Sequence, residues 1–554
     1  MYGSVSTSLS NAFPDVTKQD TARDVRELRA SFETGATRDL KKRRELLLQL
    51  SKLLEEGEAI IKEAIWKDLH KHPTESYVYE IAMTKVEIQE HLDYMEDWAK
   101  PQRVGTNPGN LPGLSYIHKD PLGVVCIIGT WNYPINLLLT PLISGIAAGN
   151  CCVVRLPGDD TTRYLNNVLI SLFDKYMDKR FVRYVYGGVE ETKAMLRERY
   201  DLIFATGGCF LGKIVARAAA EHLTPTVLEL GGKSPAIVDE TVDIELAARR
   251  ITWGAFTNAG QTCVRPDYVL VDERVGDKLV AAMTRYISQF YGKDPKLSDS
   301  YGRVINARMF QRLSGVLEKD RARVTHGGAT DANENYMEPT LLNYMTDLTG
   351  FTSSALTNSE LPFGGVGMSG NGAYHGRAGF DAFSHKKSVL YKYSLLDLAQ
   401  RYPPYTPATE RVLRIVLHPI SRLQWRIGKL LAFVVVIAAI ALGIRSAVKN
   451  LVFNDAMMQL TNTELPFGGV GMSGNGAYHG RAGFDAFSHK KSVLYKYSLL
   501  DLAQRYAPYT PASEKVLRVV LYAFSRRQIR AIKFVTLAAS LAAIGFAIKS
   551  ALAK

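Results

Sequence analysis

The sequence predicts an α/β fold: two α/β domains behind a helical N-terminal stretch, then a C-terminal unit that ends in a membrane anchor and is written twice. Three observations predict it. Short apolar runs alternate with amphipathic segments through the middle of the chain, and two fifteen-residue runs without a charge lie near the C-terminus. The seventeen letters ELPFGGVGMSGNGAYHG at Glu360–Gly376 also return unchanged at Glu464–Gly480.

Residues from about 20 to 100 read as long helices. Leu40, Leu47, Leu50, Leu54, Ile61 and Ile65 recur near helical spacing with charges between them. After PQRVGTNPGNLPG the pattern changes: GVVCIIG, NLLLTPLISGIAA, CCVV, YLNNVLISLFDKY, FVRYVYGG, ETKAMLRERY, LIFATGG and GKIVARAAAEHL follow one another. Short buried runs alternating with helical ones are the mark of a parallel sheet wrapped by helices. The alternation continues through TVLELGG, PAIVD, ELAARRITWGAFTN and DYVLVDE, enough for two α/β domains. A chain of 554 residues exceeds one ordinary core, so two or three domains are expected.

Hydrophobic residues make up 46% and charged residues 22%, the balance of a folded protein. The net charge of +13 suits nucleic acid, an anionic membrane surface or a phosphate-bearing ligand. No aromatic-interleaved basic stripe, zinc-finger spacing or RNA-recognition signature appears, so nucleic acid is not an expected partner. The five cysteines are odd in number and form no C-x-x-C, which argues against a disulfide framework and a metal site and for reduced thiols. The N-terminal residues MYGSVSTSLSNAFPDV contain no apolar region of the kind a signal peptide needs.

The apolar runs are LLAFVVVIAAIALGI (Leu430–Ile444), between Lys429 and Arg445, and FVTLAASLAAIGFAI (Phe534–Ile548), between Lys533 and Lys549. Each spans about 22 Å as a helix against about 30 Å of hydrocarbon, a gap that snorkelling lysines and arginines can bridge. A buried core helix is the plainer reading. Against it stand the basic segments before each run: Arg411, Arg414, Arg422 and Arg426 in one, and Lys515, Arg518, Arg526, Arg527 and Arg530 in the other. Basic, amphipathic and next to an apolar run describes a membrane anchor, and membrane lipid is the expected partner. The repeat holds at an offset of 104 residues, without a gap, from 360–450 to 464–554, and its first 43 residues are identical. It is one tail-anchored C-terminus duplicated rather than a solenoid.

Within the repeat, Gly365-Val-Gly367-Met-Ser-Gly370 satisfies G-x-G-x-x-G but has no buried strand before it and no helix after it, so it is rejected as a dinucleotide fingerprint. A better nucleotide site is LIFATGGCFLGKIVARAAA. There a strand ends at Thr206-Gly207-Gly208 and an amphipathic helix opens around Gly212, so a pyrophosphate could approach the helix N-terminus. An ordinary βα turn has the same shape, and spacing alone favours that plainer reading.

Cys263 stands in the polar segment NAGQTCVRP, whereas the other cysteines sit in or beside apolar strands, and Arg265 nearby would favour a thiolate. Glu229 in LELGGKSP ends an apolar strand, where a carboxylate is costly without a task. Asn132 in GTWNYP follows another apolar strand as a candidate oxyanion donor.

Together WNYP, TGG-x-x-x-G, HLTP-x-x-LELGGKSP, GQTCV-x-PDYVL and PFGGVG-x-SG-x-GAYHG followed by FSH resemble the aldehyde dehydrogenase family, in its class 3, membrane-anchored fatty aldehyde dehydrogenase branch. The resemblance covers roughly residues 21–340 and 360–402 and returns over the second copy. It implies a two-domain fold, a Rossmann-type cofactor domain with an α/β catalytic domain. Cys263 would attack the aldehyde, Asn132 with the Cys263 N–H would hold the oxyanion, and Glu229 would activate the water that releases the acid. Gly207, Gly208, Gly212, Arg155 and Trp131 would bind the cofactor, which is NAD, or NADP in its place. Long-chain aliphatic aldehydes are the implied substrates. The implied setting is a cytosol-facing membrane of the endoplasmic reticulum type, with a homodimer as one possible assembly.

The expected organisation is a helical N-terminus and NAD-binding domain at 21–228, and a catalytic domain at 229–402, shortened near 341–360. An amphipathic and anchor tail follows at 403–450, then the second catalytic C-terminal piece at 451–506 and the second tail at 507–554. Two departures from the family pattern stand out. Arg155-Leu156-Pro157-Gly158 replaces a Lys-Pro-Ser-Glu stretch whose lysine contacts the adenosine ribose, and the Glu-x-Phe-Gly-Pro segment that holds the nicotinamide ribose is missing between Thr340 and Leu361. LVFNDAMMQLTNTELPFGG resembles the family's strand into the PFGG loop and gives the second copy the more native lead-in. The chain therefore reads as a fusion of two related C-terminal ends, of which one active site would use one. A membrane-anchored binding protein impaired in cofactor use is the alternative to an enzyme.

Overall fold

The computed structural model describes residues 19–104, 114–158, 161–343, 363–364, 369–393, 451–453 and 506–520. Helix α1 (Thr21–Glu33) begins where the Asp20 carboxylate accepts the Arg23 N–H, and α2 (Leu40–Leu69) begins on the same device at Asp39. Along α2, Leu46, Leu47, Leu50, Leu54, Ile61 and Ile65 are all buried, so the leucine spacing marks its packed face. A short helix α3 (Pro73–Ser76) runs through one π-helical turn, Tyr77–Ala82, into α4 (Met83–Ala99).

The central sheet is built as the alternation predicts. Strands and helices follow in the order β1 (Gln102–Val104), β2 (Leu114–Pro121), β3 (Val124–Ile128), α5 (Asn136–Ala148), β4 (Cys151–Arg155), α6 (Arg163–Tyr176) and β5 (Val182–Val185). Then come α7 (Val189–Leu196), β6 (Leu202–Thr206), α8 (Cys209–Ala220) and β7 (Thr226–Glu229). Strands β7-β6-β3-β4-β5 lie side by side and parallel. Every residue of β3, β4 and β6 is buried, which is why these strands read as unbroken apolar runs. In a parallel sheet the carboxyl ends share one edge, and here β3, β6 and β7 deliver Gly129–Asn132, Gly207–Gly208 and Leu230–Gly232 to it.

The second α/β unit contains β8 (Ser234–Val238), α9 (Ile244–Phe256), β9 (Pro266–Val271), α10 (Glu273–Tyr291) and α11 (Ala307–Lys319). The short strands β10 (Val324–His326), β11 (Thr330–Asp331), β12 (Tyr336–Met337) and β13 (Leu341–Leu342) follow. β8 and β9 pair in parallel, and they are a two-stranded sheet among the described residues.

Both copies of the duplicated unit contribute to the fold. From the first come β14 (Gly370–Asn371), α12 (Gly376–Ala382) and β15 (Ser384–Tyr393). β14 pairs antiparallel with β7, setting Gly370 opposite Glu229. Gly370 has φ +130°, and a Cβ there would lie 1.9 Å from the Leu228 carbonyl oxygen, so only glycine fits. β15 extends β2 in an antiparallel sheet ordered β1-β2-β15-β16, where β16 is Leu451–Phe453, the lead-in to the second copy.

The second copy supplies Tyr506–Tyr509 and α13 (Pro511–Val520). Tyr506 and Tyr509 join an aromatic cluster with Phe290, Tyr291 and Tyr301. Leu517 enters the main core, and Arg518 lies 3.9 Å from the Tyr77 ring centroid and pairs with Glu58. Pieces of both copies thus pack on one body, and the piece that edges the strand of Glu229 is the first copy's. The glycine-rich loop of the second copy and both apolar runs lie outside the described residues. Among the described residues, no helix is long and apolar enough to cross a membrane.

Candidate active site

A cavity of about 850 Å³ opens at the carboxyl edge of the sheet and reaches across to α11. Trp131, Asn132, Gly207, Gly208 and Cys263 all line it, so three separate motifs converge there.

Cys263 follows a tight turn at Thr257–Gly260, in which the non-glycine residues Asn258 and Ala259 take φ of 56° and 51°. Such left-handed backbone costs about 1–3 kcal/mol per residue and persists only when the surroundings hold it. Here the Glu75 carboxylate accepts the Asn258 N–H at 3.1 Å. From the other side Gly232 presses on the backbone of Cys263: a Cβ there would lie 2.3 Å from the Cys263 carbonyl oxygen. Gly232→Ala should therefore displace the Cys263 loop and lower turnover about a hundredfold, since displacements near 1 Å carry that cost. Steady-state kinetics of the soluble variant check this; wild-type rates would contradict it.

Burial, and then the charge of Glu229, push the Cys263 thiol up to about 11, while the backbone N–H groups of Cys263 and Val264 pull the other way. Glu229 ends the strand that leads into Gly232, whose backbone packs against Cys263, so the two sequence-predicted residues belong to one region of the fold. Glu229 is buried at the end of β7, and burial pushes its carboxyl up to about 9. Its Oε1 has no hydrogen-bond partner among the described residues. Asn132 donates its Nδ2 to the Gln261 carbonyl at 2.9 Å, which orients the amide and leaves its second hydrogen for a ligand. The Tyr133 hydroxyl bonds Thr262 Oγ1 at 2.7 Å, tying WNYP to the Cys263 loop a second time.

The cofactor residues divide. Gly207 and Gly208 line the cavity, and a Cβ at Gly208, the N-cap of α8, would meet nothing within 4 Å, so the helix N-terminus is open to a ligand. Lys233, Arg265, Arg308 and Arg312 outnumber Asp267 and Glu338 among the described lining residues, giving a positive wall for an anionic dinucleotide. These residues fit a pyrophosphate-bearing cofactor. Two expectations are corrected. Gly212 packs α8 on β7: a Cβ there would lie 2.9 Å from the Leu230 side chain, so its task is close helix–strand contact. Arg155 does not reach the cavity. It is 4% exposed and turns its guanidinium onto the carbonyls of Leu156, Pro157, Gly187 and Gly188, with Nε 3.1 Å from Thr192 Oγ1. Arg265 likewise does not activate the thiol, because its guanidinium pairs with Asp267.

Sequence reasoning missed Tyr374. It belongs to the GAYHG of the first copy, is fully buried, and packs edge-on against Phe204 at 5.0 Å. Its hydroxyl is raised well above its ordinary value by burial and then by the neighbouring charges of Glu229 and Cys263. Among the described residues, no group of three or more His, Cys, Asp or Glu side chains is arranged to hold a metal.

The sequence model of the aldehyde dehydrogenase family matches residues 5–352. The 4,4'-diaponeurosporen-aldehyde dehydrogenase of Staphylococcus aureus is 36% identical over 481 residues, covering 87% of this chain and 95% of that protein. The rat dimeric, NADP-preferring aldehyde dehydrogenase is 35% identical over 494 residues, covering 89% and 98%. A substrate-bound structure of Staphylococcus aureus AldH superposes with a TM-score of 0.68 at 34% identity, over 72% of this chain and 99% of that one. This chain belongs to the aldehyde dehydrogenase family. It is an NAD(P)-dependent enzyme of that family, and these relatives favour the dehydrogenase over the binding-protein alternative.

Proposed function

We propose that the enzyme oxidises long-chain aliphatic aldehydes to carboxylic acids at Cys263, with Asn132 and Glu229 as its partners, while attached to a membrane. The observation that carries the chemistry is the convergence on one cavity of Cys263, of Asn132 with its amide anchored on Gln261, and of the Leu230–Gly232 segment that follows the buried Glu229 and packs on the Cys263 backbone.

In this reading Cys263 attacks the carbonyl carbon, and the Asn132 amide with the Cys263 N–H receives the oxygen that becomes negative. NAD(P) bound in the cavity would accept the hydride that the substrate carbon loses as the oxyanion collapses, leaving a thioester on Cys263. Gly207 and Gly208 would cradle its pyrophosphate, with Trp131 beside it. Glu229 then takes a proton from the water that attacks the thioester, and the acid leaves. The acid is released by the same carboxylate that must lose its own proton first, so turnover rises with pH.

Support for an apolar substrate comes from α11, whose Met309, Leu313, Val316 and Leu317 line the cavity. Each methylene buried contributes about 0.8 kcal/mol, so kcat/KM should rise roughly tenfold for every two methylenes from butanal to decanal. A flat series would contradict the long-chain reading. Membrane attachment and cytosolic orientation are supported by the two charge-free runs and by the arginines before them, Arg411, Arg414, Arg422 and Arg426 in one case and Arg526, Arg527 and Arg530 in the other; the endoplasmic-reticulum-like setting rests on the family resemblance. The expected result of alkaline carbonate extraction is that the full chain stays with the membrane and a chain cut after Tyr402 is released. Release of both would overturn the anchor. A homodimer is supported by the rat relative, which is named dimeric.

A further inference from the structure

Beneath the WNYP segment lies a charged pair that the reaction scheme does not use. Lys71 and Glu80 are 1% and 0% exposed, and their side chains meet at 2.6 Å. Burying two charges is expensive and seldom stabilises a fold relative to an apolar pair, so what each charge holds is the informative point. The Lys71 ammonium donates to the Asn132 carbonyl oxygen at 2.9 Å and sits 4.3 Å from the Tyr133 ring centroid. The second oxygen of Glu80 accepts the N–H groups of Ile135 and Asn136 at 3.1 Å each, where α5 begins. Glu80 itself stands in the π-helical turn at Tyr77–Ala82, the one interruption between α3 and α4.

The pair thus grips Asn132 and Tyr133 from below and the start of α5 from beyond. The Asn132 carbonyl takes a second donor, Asn258 Nδ2, at 2.8 Å. That side chain belongs to the strained turn whose N–H is held by Glu75, a carboxylate from the same 71–80 stretch. Tyr133 in turn reaches Thr262, next to Cys263. One buried stretch therefore fixes both the amide that receives the oxyanion and the turn that carries the thiol.

We infer that Lys71, supported by Glu80, is a positioning residue for aldehyde oxidation: it sets the Asn132 amide, through the Asn132 carbonyl and the Tyr133 ring, where the oxyanion forms. The inference rests on the reading of Asn132 as the oxyanion donor. Lys71 does not line the cavity; its effect travels through the Asn132 carbonyl and the Tyr133 ring. Its loss should lower kcat in every step that passes through an oxyanion and leave binding of substrate and cofactor nearly unchanged.

The test uses the full chain and two assays: aldehyde oxidation with NAD(P), and hydrolysis of p-nitrophenyl acetate. Lys71→Met alone leaves a buried carboxylate unpaired and risks misfolding, so Lys71→Met/Glu80→Gln is made beside it. Both are assayed below the thermal midpoint measured for each. The expected result is a loss of about 10- to 100-fold in kcat in both assays. KM and the Kd for NAD(P)H, read by fluorescence, should change less than about threefold. Asn132→Ala should cost a similar factor in the wild type but little more when added to Lys71→Met/Glu80→Gln, because the two act through the same amide. Multiplying losses, or an unchanged kcat in the folded double variant, would overturn the inference. No loss from Asn132→Ala in the wild type would instead overturn the oxyanion reading.

Discussion

Replacing Cys263 by alanine is expected to reduce aldehyde oxidation by at least roughly a thousandfold while NAD(P)H still binds, since no other described cysteine lines the cavity. Cys126, Cys151 and Cys152 are fully buried in β3 and β4, and burial raises all three thiols. Each is packed as a small apolar side chain and cannot stand in for the missing sulfur. Serine at position 263 should fare little better, because a hydroxyl at this buried site is harder still to deprotonate than the thiol. Iodoacetamide gives the same answer chemically. Alkylation of Cys263 should precede that of the three strand cysteines, and inactivation should follow its time course. Activity in Cys263→Ala above about a tenth of wild type would remove the nucleophile from the account.

The second large effect belongs to Glu229. In Glu229→Gln the first hydride transfer survives and thioester hydrolysis slows about 100- to 10,000-fold, the usual span for losing a general base. A single burst of NAD(P)H per active site should therefore be followed by near silence. The sign of the pH dependence follows from the carboxyl's raised value of about 9. Its ionised form is the base, so wild-type hydrolysis climbs with pH up to about 9, and the glutamine variant shows no such climb. Stability runs the opposite way. A carboxyl raised on folding binds its proton more tightly in the native state, so its contribution is complete below the ordinary carboxylate range and is lost as pH rises through 9. Glu229→Gln should consequently flatten the fall in thermal midpoint between pH 6 and 9. A wild-type pH profile retained by the variant would refute the assignment.

The parallel sheet was legible because β3, β4 and β6 are buried on both faces and leave unbroken apolar runs in the sequence. Cys263 and Glu229 were legible because each breaks a local rule: a cysteine outside an apolar strand, and a carboxylate inside one. What was not legible depends on partners far along the chain. Arg155 keeps the charge of the family's ribose-contacting lysine, yet its partners are mostly backbone carbonyls, which leave no mark in a sequence. Gly212 satisfies the spacing of a cofactor turn, but the same absence of a Cβ serves contact with Leu230, and the two uses spell identically. Lys71 reaches Asn132 across 61 residues, from a stretch that the sequence reads simply as part of the N-terminal helices. β14 is two residues long, too short to show a period, so the pairing of Gly370 with Glu229 needed the fold. The duplicated unit was visible as text, whereas its division, one copy edging β7 and the other covering the aromatic cluster at Tyr291, is a matter of packing.

The central claim is a covalent route through Cys263, and the most direct measurement is the mass of the peptide carrying it. Wild-type enzyme turning over decanal with NAD(P) is quenched in acid, digested and weighed. The account predicts a decanoyl group on Cys263 that requires NAD(P) and accumulates to near one per site in Glu229→Gln. An acyl group on another residue, or acid formed at full rate with Cys263 never acylated, would contradict it.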